Sequence, residues 1–329
     1  MAADRPRRIL VTGVGGAGGF DLARSLMRLG CEVIGVDANP LAPGLGLPCI
    51  TARTMVPANN PAYRDELLGL CRALEPDAIM STVEQELPQL AAMRGLLDEL
   101  GVRTWLPQAH AVEACVDKAA FCAVAGEHRI PVPRTWLPHE IDEVPDGRAL
   151  VVKPRRGQGA QDVHFCSTRK QAEVLCELVA DPIVQERVDG REFTADCLVD
   201  RAGRASVILR YRLLVKGGLA VVSRTFRDQQ AAELVKATLA AVGAVGACCA
   251  QGFIRESGPD RIVMSELNAR VAGGFLLSEA AGADLVGQAL SGLFGLPVDH
   301  DRLSYKPGVY LAKYTETLAA GEQDLPPAP

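Results

Sequence analysis

The chain has 329 residues, 48% of them apolar and 23% charged, which describes ordinary globular domains with room for two or three separate cores. With 35 basic and 40 acidic side chains the net charge is −5, so nothing in the charge balance suggests a nucleic-acid surface. No apolar run approaches the roughly 18 residues of a membrane span, and the apolar stretch after the basic start is too short for a signal-peptide core. Ten cysteines without a C-x-x-C pair, mostly in apolar company, read as free thiols of a cytoplasmic protein. Five separated histidines offer no zinc spacing, and neither G-x-S-x-G nor H-E-x-x-H is present.

In chain order, residues 9–12 read as a buried strand, 20–29 as a helix and 32–37 as a second strand. Helices are predicted over 63–74 and 86–100, with a strand over 77–81 between them. Alternating strands and helices imply α/β architecture, with a parallel, Rossmann-like domain over 1–107. Within it, Gly13-Val-Gly15-Gly-Ala-Gly18 fits G-x-G-x-x-G between strand and helix, and Asp37 closes the second strand. Two readings stay open there: an NAD(P) site of an oxidoreductase, or a tight turn that binds nothing or cradles a substrate carboxylate. Glu84 follows the strand end at Ser81, where ligands bind in open α/β sheets; it reads as a partner for a substrate ammonium or as a helix cap.

Residues 109–129 read as helical, with Asp117-Lys118-Ala-Ala-Phe121 also reading as a helix start within them, and Pro131, Pro133 and Pro138 interrupt the next stretch. A strand over 149–153 ends in Lys153, and a lysine there needs an anion nearby. The loop over 155–163, with Gly157 and Gly159, is suited to close over a triphosphate through its amides. Arg155 and Arg156 are candidates to meet an acidic substrate. A helix over 167–179 starts from Ser167 as N-cap, followed by strands over 183–186, 193–199 and 206–214. After 183–186, backbone groups at the strand end can read adenine and Glu192 can accept from ribose hydroxyls. Arg210, Arg212 and Lys216 fall on a strand and turn, either as solvent-facing residues or as a substrate or phosphate site. Helices are predicted over 228–242 and 282–293, and the late strands with flanking helices suggest a second, α+β unit. The tail, Leu325-Pro-Pro-Ala-Pro, reads as loose.

The segments 251–256 and 264–270 flank the turn Ser257-Gly258-Pro259-Asp260. A hairpin centred on that turn places Gln251 opposite Glu266, and alternation puts Asn268 on the same face. Opposed side chains lie about 5 Å apart, so three oxygen-bearing groups converge, with Arg270 following. Carboxylate and amide oxygens suit Mg²⁺ in company with phosphates, and Mn²⁺ would accept the same set. A bulge would shift this pairing, and a polar hairpin face exposed to solvent is the other reading.

In order, Asp117-Lys118, Val151-Val-Lys153-Pro, the glycine loop, Gln185-Glu-x-x-x-Gly190-x-Glu192, Gln251 and Glu266-Leu-Asn268-Ala-Arg270 resemble the ATP-grasp superfamily. The flavour is similar to the carbamoyl-phosphate synthetase large subunit and its single-copy carboxylate–amine ligase relatives. The resemblance implies a Rossmann-like pre-ATP-grasp domain (1–107), a lid subdomain (108–190) and a C-terminal subdomain with a metal site (191–329). It implies ATP and Mg²⁺ as cofactors. Lys118 and Lys153 would contact phosphates, and Gly157 and Gly159 would form the closing loop. Gln185 and the backbones of Glu186 and Val188 would hold adenine, and Glu192 ribose. Gln251, Glu266 and Asn268 would ligate metal, and Arg270 would stabilise the transferring phosphoryl group. Gln185 and Gln251 depart from the carboxylates of many relatives. Gly273 and Gly274 resemble an amino-acid-binding turn.

The resemblance thus implies an ADP-forming ligase that activates a small carboxylate as an acyl-phosphate and passes it to an amine. Its partners would be small molecules, with no nucleic acid and no membrane, and a homodimer is the default assembly. The rivals are the oxidoreductase reading and a non-catalytic ATP-grasp ligand sensor.

Overall fold

A computed structural model describes residues 6–314; the proline-rich tail lies outside them. Three sheets organise these residues. The first carries β1 (Arg8–Thr12), β2 (Glu32–Asp37), β3 (Thr51–Thr54) and β4 (Ala78–Ser81), in the order β3-β2-β1-β4. All its pairings are parallel. The central strands β1 and β2 are near-continuously apolar, as burial on both faces demands, whereas the edge strand β3 is polar and partly exposed. Helix α1 (Ala17–Arg28) covers one face; α2 (Tyr63–Leu74), α3 (Leu87–Ala92) and α4 (Arg94–Glu99) cover the other.

The predicted helix over 86–100 is therefore broken. A 3₁₀ turn over Glu84–Glu86 precedes α3, and the helix breaks at Met93. The helix predicted over 109–129 is likewise two, α5 (Ala109–Val116) and α6 (Lys118–Glu127). Asp117 separates them: its backbone is extended and its carboxylate accepts from Ala119 N and Ala120 N, so it caps the second helix.

A second, antiparallel sheet holds β5 (Thr135–Trp136), β6 (Leu150–Pro154), β7 (His164–Cys166) and β8 (Pro182–Glu186), in the order β5-β8-β6-β7. Helix α7 (Arg169–Leu178) packs on it, capped by Thr168 and not by Ser167; the Thr168 hydroxyl accepts from Gln171 N.

The third sheet is the largest, in the order β13-β12-β9-β10-β11-β14. Its strands are β9 (Arg191–Val199), β10 (Ala205–Lys216), β11 (Leu219–Thr225), β12 (Gly246–Ile254), β13 (Ile262–Asn268) and β14 (Tyr310–Ala312). One face is apolar: Phe193, Ala195, Cys197, Leu209, Ala250 and Leu267 pack with α5, α6 and α8 (Gln229–Val242). The opposite face of β9 carries Glu192, Thr194 and Asp196, because strand side chains alternate.

A further core joins the first and third sheets. Ile9, Val11 and residues of α1 pack with Leu198, Phe275 and α10 (Leu285–Leu293). Helix α9 (Leu276–Ala280) precedes α10, so the helix predicted over 282–293 starts later, at Leu285. All ten cysteines are free, six are buried and Cys49 is exposed. No helix among the described residues is long and apolar enough to cross a membrane.

Asp117 ties α6 to the loop after β6. Arg155 Nε lies 2.8 and 2.7 Å from its two oxygens, and Arg156 Nη2 lies 3.1 Å away. Burial alone would raise this carboxyl, but the Arg155 hydrogen bonds and the helix amides outweigh it and hold it below the usual carboxylate range. A depressed folded-state value means that its stabilisation is present above the unfolded-state value and is lost as pH falls through the folded one. Asp117→Ala should cost about 1–2 kcal/mol at pH 7, a lost cap being the dominant contribution. Urea unfolding of both proteins should show this gap at neutral pH and a narrowing gap as the carboxylate titrates in acid.

Candidate active site

Strands β12 and β13 form the predicted hairpin, with Gln251 opposite Glu266 and Cys249 opposite Asn268. Nearer the turn the register is different: Gly252 pairs with Met264, Phe253 with Val263 and Ile254 with Ile262. Ser265 is the extra residue, a bulge between turn and site. Without it Ser265 would face Gln251, so the pairing read from the turn holds at the site because of this insertion. Asn268 Nδ2 lies 3.4 Å from Glu266 Oε1, which leaves its amide oxygen for another partner.

Register extends the same face across the sheet. Gln251 lies beside Thr194 and Cys249 beside Asp196 on β9; Arg210 lies beside Thr194 on β10. Arg210 is 1% exposed and grips Asp196 through Nε (2.8 Å) and Nη2 (3.2 Å), while Ser278 Oγ donates to the same carboxylate at 2.6 Å. A Cβ on Gly274 would stand 2.9 Å from Arg210 Nη1, so only glycine lets that turn lie on the guanidinium. Arg212 Nε pairs with Glu192 Oε1 at 2.9 Å, and its Nη2 donates to Gly218 O at 2.8 Å. Burial raises the Glu192 carboxyl, with Arg212 opposing.

Two other elements reach this face. From the front domain, Glu84 Oε2 meets Arg270 Nη2 at 3.3 Å. Glu84 is 4% exposed; burial pushes its carboxyl up to about 7, with Glu266 adding to the rise and Arg270 and Lys118 opposing. From the second sheet, Lys153, next to last in β6, feels the charge of Lys118. Burial lowers the Lys153 ammonium, Glu266 opposes and Lys118 adds to the fall. Among the described residues Lys153 has no ion-pair or hydrogen-bond partner.

The glycine loop is closed over the site. Lys118 Nζ donates to Gly157 O at 2.9 Å, Glu84 N donates to Gln158 Oε1 at 3.3 Å, and a Cβ on Gly218 would fall 2.4 Å from Gly159 C. Arg155 and Arg156 turn away to Asp117 and Glu113 and do not line the face. Lys216 is exposed at the end of β10. The Gln185 amide donates to Thr135 Oγ1 at 2.9 Å, and its strand end is the informative part. Glu186 N is spent on Arg134 O and Arg187 N on Ala149 O, whereas Val188 N has no hydrogen bond among the described residues.

The front G-x-G-x-x-G has its own structural employment. Asp37 Oδ2 accepts from Gly15 N at 2.7 Å and Oδ1 from Asn39 N at 2.9 Å, so the acid expected on a ribose braces the loop instead. Gly18 packs against the Gly273–Gly274 turn, where a Cβ on it would make ordinary contact with Gly273 Cα at 3.6 Å. This packing disfavours the oxidoreductase reading.

Reading the sequence missed Gln158, Asp196 and Ser278. Asp196 was accessible: Glu192, Thr194 and Asp196 alternate on one strand, on the face that carries Arg210. The donor set itself suits a hard cation whose other ligands are phosphates. Among the described residues no cluster of three or more histidine, cysteine or acidic side chains is arranged for a metal. Glu266, with the oxygens of Asn268 and Gln251, supplies one charge, and one or two carboxylates plus phosphates is the usual Mg²⁺ arrangement. Four buried polar atoms on or near this face, Thr194 Oγ1, Arg210 Nη1, Ser223 Oγ and Arg270 Nε, have no hydrogen-bond partner among the described residues.

Residues 179–317 match a family model described as ATP-grasp in the biosynthetic pathway with Ter operon. Solved structures match over nearly the whole chain. The biotin carboxylase domain dimer of Hydrogenobacter thermophilus 2-oxoglutarate carboxylase, in complex with the magnesium salt of ADP, ADP and bicarbonate, superposes with a TM-score of 0.71. Identity is 16%, covering 94% of this chain and 74% of that one. An L-amino acid ligase from Bacillus licheniformis gives 0.70 at 17% identity, covering 93% and 78%. N5-carboxyaminoimidazole synthase from Aspergillus clavatus, with ADP and 5-aminoimidazole ribonucleotide, gives 0.72 at 18%, covering 92% and 80%. The chain has the ATP-grasp fold, as the order of its motifs implied.

Carbon-13 NMR of the carboxyl groups, with Glu84→Gln as the subtraction control, should show one carboxyl titrating near pH 7. Arg270→Ala should move that midpoint higher, because the guanidinium favours the ionised form. A Glu84 midpoint in the usual carboxylate range would contradict the enclosed site.

Proposed function

We propose that the protein is an ATP-dependent, ADP-forming carboxylate–amine ligase acting on small molecules, an amino acid or other small carboxylic acid being joined to an amine. The observation that carries this reading is the convergence of Glu266, Asn268 and Gln251 with Lys118, Lys153 and Arg270 under a closed glycine loop. The ATP-grasp fold, and neighbours solved with ADP, support it.

In this reading the unpaired Val188 N–H and the adjoining Glu186 carbonyl bind adenine, with Gln185 beneath, and Glu192 accepts from ribose. Lys153 and Lys118 bind phosphate oxygens, and the amides at Gly157 and Gly159 cover them. Lys153 lacks an internal counter-ion, and a phosphate supplies one. Glu266, Asn268 and Gln251 would hold Mg²⁺ or Mn²⁺, which would supply positive charge against the phosphates. The acid's carboxylate oxygen attacks the γ-phosphorus and the bond to the β-phosphate oxygen breaks, giving ADP and an acyl-phosphate. Arg270 faces the charge that develops on the transferring group. The amine then attacks the acyl carbon, phosphate leaves, and the amine gives up a proton. The lid excludes water, which would otherwise hydrolyse the acyl-phosphate.

The substrate side is built by Arg210, Gly273 and Gly274 from the body, with Lys216 at the rim and Glu84 from the front domain. The partnerless Arg210 Nη1 suits a carboxylate, and Glu84 suits an ammonium group. The ten free thiols fit a reducing cytoplasm.

The test is hydroxylamine trapping with MgATP and pooled carboxylic acids. The wild type should form acid-dependent hydroxamate together with ADP. Glu266→Ala should lower that rate on the order of 10²-fold or more while thermal unfolding stays unchanged. Undiminished trapping in Glu266→Ala would remove the hairpin from the chemistry.

A further inference from the structure

Along the connector over residues 101–108 lies a cavity of about 600 Å³. Its volume falls within the range of small-molecule sites, which favour domain junctions. Arg94, Arg103 and Arg201 line it against a single acid, Asp98. None of the three guanidinium groups has an ion-pair partner among the described residues. Each is anchored by backbone carbonyls instead. Arg94 Nη2 donates to Leu106 O and Pro107 O at 2.9 and 2.7 Å, Arg103 Nη1 to Phe294 O at 3.0 Å, and Arg201 Nη2 to Gly292 O at 3.4 Å.

Carbonyl anchors orient a guanidinium without neutralising it. Three oriented, uncompensated forks around one concavity focus a positive potential in a chain whose net charge is −5. The wall adds Trp105, over whose ring Arg201 Cζ sits at 5.8 Å. The wall residues also include two buried polar atoms without a hydrogen-bond partner among the described residues, Thr104 Oγ1 and Trp105 Nε1. Trp105 and Leu106 also line a void of about 50 Å³, as does Arg270. The cavity is thus lined by other residues than the candidate active site and shares three residues, Trp105, Leu106 and Leu293, with the packing beside it.

We propose that this cavity is a second ligand site for a small multivalent anion, a phosphate ester or a polycarboxylate, held by Arg94, Arg103 and Arg201. The inference does not depend on which reaction the ATP-grasp face performs.

Isothermal titration of the full-length protein with pyrophosphate, and separately with citrate, tests it without any activity assay. At least one probe should bind. Arg103→Gln and Arg201→Gln, made separately and checked by thermal unfolding, should each weaken that binding at least tenfold. Lys153→Met, in the candidate ATP site, should leave it intact. Binding by pyrophosphate alone would assign a phosphate ligand, and binding by citrate alone a polycarboxylate. The proposal is overturned if neither probe binds, or if binding survives both arginine substitutions. Loss in Lys153→Met alone would equally overturn it, by placing the anion at the ATP phosphates.

Discussion

Glu84 and Arg270 are 186 positions apart in the chain and meet at 3.3 Å. That contact depends on the core in which α1 and α10 join the first sheet to the third. It brings a carboxylate from beside the first sheet to a face otherwise built from the second and third sheets. Removing one partner of an enclosed pair leaves an uncompensated charge, so the junction must stay closed for the face to be stable. Gly18 of α1 lies against Gly273 at the same junction.

Charge balance explains the rest of the face. Two carboxylates, Glu84 and Glu266, share one enclosed space with Lys118, Lys153 and Arg270, and the shifts of Glu84 and Lys153 run in the directions that crowding and burial dictate. Arg210 is satisfied by Asp196 on one edge and has no partner at Nη1. Such a surface is costly when empty of anions and favourable when it holds phosphates and a carboxylate. Alternation along β9 separates this chemistry from the apolar face that anchors the sheet.

Much of this was legible in the sequence because it is local. The parallel front sheet follows from apolar strands alternating with helices, and the hairpin from its turn and its polar period. At Asp117 the sequence carried two readings, one continuous helix over 109–129 and a helix starting at Asp117-Lys118; the extended backbone and side-chain cap of Asp117 decide for the second. The bulge at Ser265 was hidden, since nothing local distinguishes an inserted residue from a paired one. Asp37 shows the converse: the residue spacing of a dinucleotide site is present, yet its carboxylate is spent on Gly15 and Asn39. Contacts between distant segments, such as Gln158 with Glu84 or Ser278 with Asp196, have no local signal at all.

The central claim is that the converging face couples ATP cleavage to the joining of an acid and an amine. Release of ADP and phosphate, measured with MgATP across pools of carboxylic acids with and without amines, tests it most directly. The account predicts release that requires both an acid and an amine, with an amide formed in equal amount. Tight ATP binding with no release in any pool would contradict it and identify a ligand sensor on the same fold.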